Sequence, residues 1–375
     1  MHRALSVLAF GAGFAVVAAC SSGGQSAPAA PAKAPAATSA AAPSTPSPAA
    51  AQPASASTAA PTPASIKAGI QNTLTAGGMC LAVARGYLAE QGIEASIEEI
   101  SSPQAMVPAV ATGQVDLGNG AMSASLWNAL ARGADVRLVA LQSYIPPGVP
   151  GAGYVVRKQD LDSGFIGDFP TLKGKRVSNN GSGNYTQIVL GKAADKGGLT
   201  LDDVEIVDMQ QPDAVVALQN GSIDVATVSE PIRTAVLNQG LAVQWKEYYE
   251  IAPGQQATAW VYSPQFAHDR PEVGRRLMVA LLKGIRELYD AFNKDVNRDE
   301  VIDILTHYLT IKDPAQYAGL RAQIHPNGEF NTEMLQSDVD WYVAHGFSPQ
   351  RIDVTTTIDR GFLDYALQQL GRYQQ

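Results

Sequence analysis

Cysteine is scarce in this chain of 375 residues, which holds only Cys20 and Cys80. Two cysteines exclude a disulfide framework, a four-cysteine metal site and a Cys-x-x-Cys redox pair. Histidine offers no substitute, because its spacings in the second half of the chain match neither His-Glu-x-x-His nor a zinc-finger pattern. These histidines are His268, His307, His325 and His345. The sequence therefore predicts no metal site.

Other catalytic and cofactor signatures are missing as well. The chain has no Gly-x-Ser-x-Gly hydrolase elbow and no Walker-type phosphate loop. A turn with Gly118 and Gly120 imitates part of the dinucleotide fingerprint, but it lacks the third glycine and the acid that would hold a ribose. We expect no cofactor and no enzymatic activity.

Basic residues are also fewer than acidic ones. The chain has 27 Lys and Arg residues against 35 Asp and Glu residues, which gives a formal net charge of −8. The only basic residues before residue 66 are Arg3 and Lys33, so the remainder is more acidic still. An acidic domain without a cluster of basic residues binds nucleic acid poorly. We expect no nucleic-acid partner.

The start of the chain has the pattern of an export signal. A basic start with Arg3 precedes an apolar stretch over residues 4–17, which is too short to span a bilayer comfortably. The ending Val17-Ala18-Ala19-Cys20 resembles the bacterial lipobox, whose cysteine receives a lipid. We therefore predict a signal peptide over 1–19 and lipidation of Cys20, which would anchor the protein to a bacterial membrane with its folded part in the periplasm or on the cell surface. Ordinary signal cleavage near the two alanines is the alternative.

Residues 20–65 are almost entirely Ala, Ser, Pro, Thr, Gly and Gln. Such a composition cannot bury a core, so we predict a disordered linker between the lipid anchor and the folded part.

The rest of the chain alternates short β-rich runs with helical stretches, which indicates an α/β fold with mainly parallel sheets flanked by helices. Its length suggests two domains. The predicted strands cover 66–74, 94–100, 115–118, 136–143, 176–178, 204–209, 224–228 and 257–263.

Two stretches within this region resemble each other. Residues 105–117 and 213–225 align without a gap, and each reads as an apolar helix closed by a glycine and followed by a strand with an aspartate near its start. Matching helix ends also lie upstream of both copies. We therefore predict two related β-α-β-α-β units, with chance similarity between amphipathic helices as the alternative.

The pattern becomes helical after residue 263, and these helices must cover something. We expect a first lobe over 66–150 plus 256–375 and a second over 151–255. The two crossings, near 146–153 and 253–258, are rich in glycine, proline and small residues and are therefore plausible hinges.

Ligands of doubly wound units bind beyond the carboxyl ends of the strands, which predicts a cleft between four loops. The predicted ligand contacts are Leu74, Thr75, Gly78, Met79, Asn119, Ala121, Ser123, Tyr144, Gly181, Ser182, Gly183, Asn184, Tyr185, Ser229, Glu230 and Trp260.

Three features of these loops each allow more than one interpretation. The glycine-rich turn over 180–185 could bind a ligand through backbone N–H groups or could only cap a helix. Glu230 could accept a hydrogen bond from the ligand, could complement the dipole of its helix or could pair with Arg233. The aromatic rings of Tyr144, Tyr185 and Trp260 could flank a flat ligand or belong to the core.

The order of several short motifs resembles the solute-binding proteins of ABC importers, of the NMT1/THI5-like type that includes nitrate, sulfonate, taurine and thiamine-precursor binders. The matching stretches are residues 85–93, 112–116, 172–177, 218–224 and 229–231. The resemblance implies a monomeric, two-lobed periplasmic binding protein of the type II kind without a cofactor, which captures a small organic molecule and delivers it to a permease and its ATPase. The implied ligand classes are sulfonates, aromatic compounds and pyrimidines or other heterocycles.

The chain departs from this family at one triplet. Family members often have an aromatic residue before Glu-Pro, where this chain has Ser229, which puts ring stacking at that position in doubt. Two other functions stay open. One is a pyrimidine-synthesis enzyme of the same fold, with Cys80 as its one candidate nucleophile, and the other is a ligand-sensing lipoprotein.

Overall fold

The computed structural model describes residues 62–100 and 103–374. The predicted signal peptide, Cys20 and nearly all of the predicted linker lie outside these residues. Within the two described ranges, no helix is long and apolar enough to cross a membrane.

Ten strands form within these ranges, separated by helices in an α/β arrangement. The strands are β1 (Ala64–Ile70), β2 (Ile93–Glu99), β3 (Leu117–Ala121), β4 (Arg137–Tyr144), β5 (Ala152–Val156), β6 (Arg176–Asn179), β7 (Glu205–Asp208), β8 (Ala226–Ser229), β9 (Val243–Glu247) and β10 (Gln256–Tyr262).

The α-helices of the described residues fall into two groups. Between the strands lie α1 (Gly77–Ala84), α2 (Tyr87–Glu90), α3 (Pro103–Ala111), α4 (Ala124–Ala131), α5 (Lys158–Asp162), α6 (Tyr185–Lys196), α7 (Gln211–Gln219), α8 (Ile232–Asn238) and α9 (Tyr248–Ile251). After β10 come α10 (Pro264–Asp269), α11 (Pro271–Asn293), α12 (Arg298–Tyr308), α13 (Thr332–Ala344) and α14 (Gly361–Leu370).

The strands form two separate groups. The first sheet has the order β2-β1-β3-β10-β4, with β1 parallel to β2 and β3, and with β10 antiparallel to both of its neighbours. In the second group, β8-β5-β9 is an antiparallel sheet and β6-β7 a parallel pair. A parallel bridge between Val177 and Val225 connects β6 to β8, so we treat this group as a second sheet.

Every predicted strand overlaps an observed one, but β5 and β9 were missed. All five residues of β5 are buried, yet they follow a Gly- and Pro-rich stretch that was interpreted as a crossing. The first strand is also shorter than predicted. The chain leaves the sheet after Ile70, where the backbone N–H of Gln71 donates to the Asn119 side chain at 3.0 Å, and residues 74–76 form a 3₁₀ turn that leads into α1.

The two predicted β-α-β-α-β units are present and equivalent. Gly113 and Gly221 end the matching helices with φ angles of 73° and 79°, in the left-handed region that favours glycine. Asp116 accepts a hydrogen bond from the backbone N–H of Lys67 at 2.9 Å in the first unit. In the second unit, Asp224 accepts from the backbone N–H of Arg176 at the same distance. In each unit the aspartate connects the start of the third strand to the first strand by a hydrogen bond. The similarity between residues 105–117 and 213–225 therefore corresponds to equivalent structure in the two units.

The C-terminal helices pack on both sheets. Most of them cover the first sheet, where α11 crosses α1. In contrast, α13 also contacts α6, because Ile188 of α6 belongs to the same buried cluster as Leu335, Val339 and Tyr342. The C-terminal helices thus pack on the first sheet, as expected, and α13 also packs on α6.

The crossing of α1 and α11 depends on two glycines. Gly284 of α11 lies directly over Gly78 of α1, and a Cβ atom at position 284 would overlap the Gly78 carbonyl oxygen. Because that oxygen belongs to the backbone of a buried helix, no side-chain rotation can relieve the overlap. The two helices can approach this closely only without a side chain at 284.

We expect Gly284→Ala to lower the free energy of unfolding by about 3 kcal/mol. Alanine favours a helix over glycine by about 1 kcal/mol, but overpacking a helix crossing costs more. Urea unfolding followed by circular dichroism measures the difference. Gly120→Ala is the matched control, because its nearest neighbour, Val261 Cγ1, lies 4.0 Å from the added Cβ. Equal effects of both variants would contradict the steric argument.

Candidate functional site

A cavity of about 380 Å³ lies between the first and second sheets. Half of its lining residues lie at the carboxyl ends of strands β1, β3, β6, β7 and β8 or in the loops that follow them. They are 71–75, Ala121, Asn180, 210–211 and 229–230. The carboxyl ends of equivalent strands in both units therefore face the same space, as the duplication predicted.

Many of the predicted ligand contacts line this cavity. They are Leu74, Thr75, Ala121, Tyr144, Asn184, Tyr185, Ser229 and Glu230. Three more, Ser123, Gly181 and Ser182, line a narrow recess of about 40 Å³, whose wall shares Ala121, Asn180 and Asn184 with the cavity. The structure thus brings together residues from all four predicted loops.

Trp260, Met79 and Gly78, which were predicted as ligand contacts, do not line the cavity and lie in the core. Trp260 is fully buried in the centre of the first sheet, between Asn119 and Ala140 of the neighbouring strands. Met79 and Gly78 lie inside α1, which begins at Gly77. Their side of the helix faces α11, so both belong to the core.

Asn119 and Gly183 shape the cavity without lining it. The Asn119 side chain is buried and accepts the hydrogen bond from Gln71 that ends β1, so it sets the course of the loop over 71–75. The Gly183 carbonyl accepts a hydrogen bond from the backbone N–H of Ala124 at 2.9 Å, which joins the start of α4 to the loop before α6. Both residues were predicted as ligand contacts, and the structure gives them positioning roles.

Glu230 is paired within the protein. Its Oε1 accepts from Arg233 at 3.0 Å, and its Oε2 accepts from the backbone N–H of Thr234 at 3.1 Å. Arg233 also donates to Glu247, whose pKa is raised because burial disfavours its charged form. Of the two interpretations of Glu230, the structure favours the pairing with Arg233.

The C-terminal segment contributes two cavity residues that the sequence analysis missed, Arg321 and Gln323. The segment runs beside the end of β4, where the Gln323 carbonyl accepts from the backbone N–H of Tyr144 at 3.1 Å. It has no regular secondary structure at this point, so periodicity gave no signal. Amides from Gln71, Gln210 and Gln211 were missed too, because polar residues in loops are unremarkable in a sequence.

A buried polar chain holds the two sheets together behind the cavity. Lys192 of α6 donates to Gln255 Oε1 at 2.7 Å, and Gln255 Nε2 donates to Asp338 of α13 at 2.5 Å. Gln255 is fully buried and precedes β10, where the chain returns to the first sheet. Burial raises the pKa of the Asp338 carboxyl to about 7, against the opposing effects of Lys192 and the Gln255 hydrogen bond. Burial also lowers the pKa of Lys192.

The described residues offer no cluster of His, Cys, Asp and Glu that could hold a metal ion. Cys80, the one candidate nucleophile, lies in α1 with no exposed surface. Burial raises the pKa of its thiol to about 12, so it is protonated at neutral pH. A reactive cysteine needs the opposite environment, partly exposed and electropositive.

The fold and the cavity allow comparison with known proteins. Residues 74–291 match the family described as NMT1/THI5 like. The solved structure of the periplasmic aliphatic sulphonate binding protein SsuA from Escherichia coli superimposes with a TM-score of 0.65 at 21% identity, and covers 80% of this chain and 93% of SsuA. The chain therefore has the α/β fold of the periplasmic binding proteins.

Curated relatives include proteins named as binding proteins and others named as enzymes. A putative aliphatic sulfonates-binding protein of Escherichia coli (strain K12) is 27% identical over 291 residues, which span 75% of this chain and 85% of the relative. An Aspergillus parasiticus protein named 4-amino-5-hydroxymethyl-2-methylpyrimidine phosphate synthase is 27% identical over 164 residues, which span 44% of this chain and 45% of the relative. The chain thus matches less than half the length of the fungal protein.

We expect Asp338→Asn to remove a pH dependence of stability between about pH 4 and pH 7. The raised pKa means that the folded protein keeps a proton on Asp338 where the unfolded chain has lost it. The contribution of Asp338 is therefore fully present below about pH 4 and is lost as the pH rises to about 7, by up to about 1.4 kcal/mol per pH unit. Asparagine mimics the protonated acid and keeps the acceptor for Gln255.

Urea unfolding at several pH values measures this effect, and Asp340→Asn on the same helix is the control. Asp340 is exposed, and its hydrogen bond to Arg351 lowers the pKa of its carboxyl. Asp340 therefore stays ionised between about pH 4 and pH 7, and its replacement should not change the pH dependence of stability in this range. If the Asp338→Asn and wild-type stabilities ran parallel from pH 4 to pH 7, the buried network would not titrate as described.

Proposed function

Since this chain belongs to the NMT1/THI5-like family, we propose that it is the solute-binding component of an ABC importer. In this proposal it captures a small organic molecule, a sulfonate, an aromatic compound or a heterocycle, and delivers it to a membrane permease that works with an ATPase. The protein acts as a monomer, held at a bacterial membrane through a lipid on Cys20.

The cavity between the two sheets carries this proposal. It is formed where strand ends of both duplicated units meet, which is where doubly wound folds bind ligands. Its volume is in the usual range for small-molecule sites. Tyr144 and Tyr185 supply apolar surface, while amides and hydroxyls of the surrounding loops supply hydrogen bonds.

The proposed motion is a closure of two lobes around the ligand. We take the first lobe as 66–150 plus 256–375 and the second as 151–255. Strands β1 to β4 and β10, which form the first sheet, lie in the first lobe, and strands β5 to β9, which form the second sheet, lie in the second lobe. This arrangement supports the division. Contacts made only when both walls meet the ligand would shift an open-to-closed equilibrium.

We expect isothermal titration to find a ligand among sulfonates, nitrate, pyrimidines, flavins and aromatic acids, and Tyr185→Ala to weaken its binding about tenfold or more. Tyr185 lines the cavity at the start of α6, so its loss removes apolar contact and a hydroxyl. Tyr308→Ala, at an exposed tyrosine outside the cavity, is the matched control and should leave affinity unchanged. Binding that is insensitive to Tyr185 would place the ligand elsewhere.

Transport is separable from ligand sensing by uptake measurements. Deletion of the gene, or of a neighbouring permease gene, should abolish uptake of the bound compound if the protein serves import. A sensing lipoprotein would bind the same compound without affecting its uptake.

An enzyme of the pyrimidine-synthase type is the second candidate, because curated fungal relatives carry that name. The buried, protonated thiol of Cys80 counts against it. We expect Cys80→Ala to lower the free energy of unfolding by about 1 kcal/mol through a small cavity and to leave ligand affinity within about twofold. If the variant instead lost a measurable turnover of the bound compound, the enzyme would be the better interpretation.

A further inference from the structure

The cavity wall contains few charged groups, and each has a partner in the protein. Among the described residues, the charged ones that line it are Glu99, Glu230 and Arg321. Glu99 accepts from the Asn72 side chain at 3.5 Å, while Glu230 is held by Arg233 and Thr234 as described above. Carboxylates thus outnumber cations on the wall.

Arg321 is the one cation that lines the cavity within the described ranges, and it is already engaged. Its Nη1 donates to the Phe292 carbonyl at 2.9 Å and lies 3.6 Å from the Asp295 carboxylate. An anionic ligand would have to compete with Asp295 for this charge. In a partly solvated setting such an exchange yields little net energy.

Arg233 stands behind the wall and is even less available. Its guanidinium contacts both Glu230 and Glu247, and all three side chains are nearly buried. Two carboxylates against one guanidinium leave this cluster with an excess of negative charge. If Arg233 moved toward a bound anion, a buried carboxylate would lose its ion-pair partner, which costs several kcal/mol.

Helix N-termini do not reverse this balance. The first turn of α7 contains Pro212, which has no N–H, and Asp213, whose charge offsets the helix dipole. The start of α6 at Tyr185 has no acid in its first turn and supplies about half a positive charge. The turn over 74–76, which leads into α1 and lines the cavity through Leu74 and Thr75, has no acid in its first turn either. These helix ends offset the carboxylate charge on the wall but do not exceed it.

The remaining polar groups at the cavity are neutral. Gln210 and Gln323 each offer an amide, which both donates and accepts, and Tyr185 offers a phenol. Within the described residues, Gln323 Nε2 is buried and has no hydrogen-bond partner, a state that is costly unless a ligand or water relieves it. These amide and hydroxyl groups match a ligand that has hydrogen-bond donors and acceptors but no formal charge.

We infer that this cavity takes an uncharged polar molecule and discriminates against anions such as sulfonate and nitrate. The inference rests on the proposed function and narrows its ligand class. The discrimination comes from the Glu230–Arg233–Glu247 cluster and the Arg321–Asp295 pair.

The test is capture of a ligand from a bacterial small-molecule extract by the wild-type protein, with Gln210→Ala as a parallel sample. Gln210 is exposed on the cavity loop, so its truncation removes an amide with little risk to folding. Bound compounds are released by denaturation and identified by mass spectrometry. We expect a compound that is uncharged at pH 7 and is depleted in the variant sample.

The captured compound is then titrated into wild-type protein and Asp295→Asn. Asp295 has a φ of 57°, a conformation that asparagine also tolerates, and its side chain is largely exposed. The substitution removes the carboxylate beside Arg321, which keeps its hydrogen bond to the Phe292 carbonyl, and it also removes an ion-pair partner of Arg298. For an uncharged ligand we expect affinity to change less than about twofold, and to be insensitive to NaCl between about 20 mM and about 500 mM. An anion would bind several-fold more tightly to the variant and more weakly at high salt.

Each outcome decides between the claims. A captured anion, or a ligand with the salt response of an anion, overturns the inference and leaves the proposed function intact. Failure to capture any compound counts against the proposed function itself. An uncharged compound captured equally by both samples leaves that function intact and overturns the assignment of this cavity as the site that recognises it.

Discussion

The buried side-chain amide of Gln255 links helices that pack on the two sheets of this protein. It accepts from Lys192 on one side and donates to Asp338 on the other, so helices α6 and α13 are held together through it. An amide suits this place because it can face an ammonium with its oxygen and a carboxylate with its nitrogen. The start of α6 forms part of the cavity wall, so the position of Tyr185 depends on this chain of hydrogen bonds. Any opening of the cavity by lobe motion must either keep this contact as a pivot or break it.

Much of the fold was open to prediction from the sequence because its signals are local. The glycines that end equivalent helices and the aspartates of the following strands repeat at a fixed offset, and the structure gives Asp116 and Asp224 the same hydrogen bond in both units. Strand β5 escaped because it follows a Gly- and Pro-rich stretch that was interpreted as a crossing, and no local signal marked β9, which pairs with β5. The strands with which β5 pairs lie more than 70 residues further along the chain, so no local periodicity indicates the pairing.

The site was less predictable, for reasons that also follow from locality. Loops at strand ends could be identified, but the direction of a side chain depends on neighbours distant in sequence. Trp260 is an example, since the alternation of β10 directs its ring into the core. Arg321, in contrast, was not predicted but lines the cavity, because an irregular segment packs beside the end of β4. The partners that neutralise the charges at the site could be proposed for Glu230 alone, where the contact is one helical turn away.

The position of β10 constrains how the first sheet can assemble. Strands β3 and β4 do not pair with each other; β10 lies between them and bonds to both. The sheet therefore stays divided until residue 256 and those after it are available, whereas all strands of the second sheet have been synthesised by residue 247. Pairing between distant segments is slow because the entropy of closing a long loop is lost before contacts compensate it. The middle of the chain can consequently acquire its structure first, and the first sheet, although it begins the fold, is completed last.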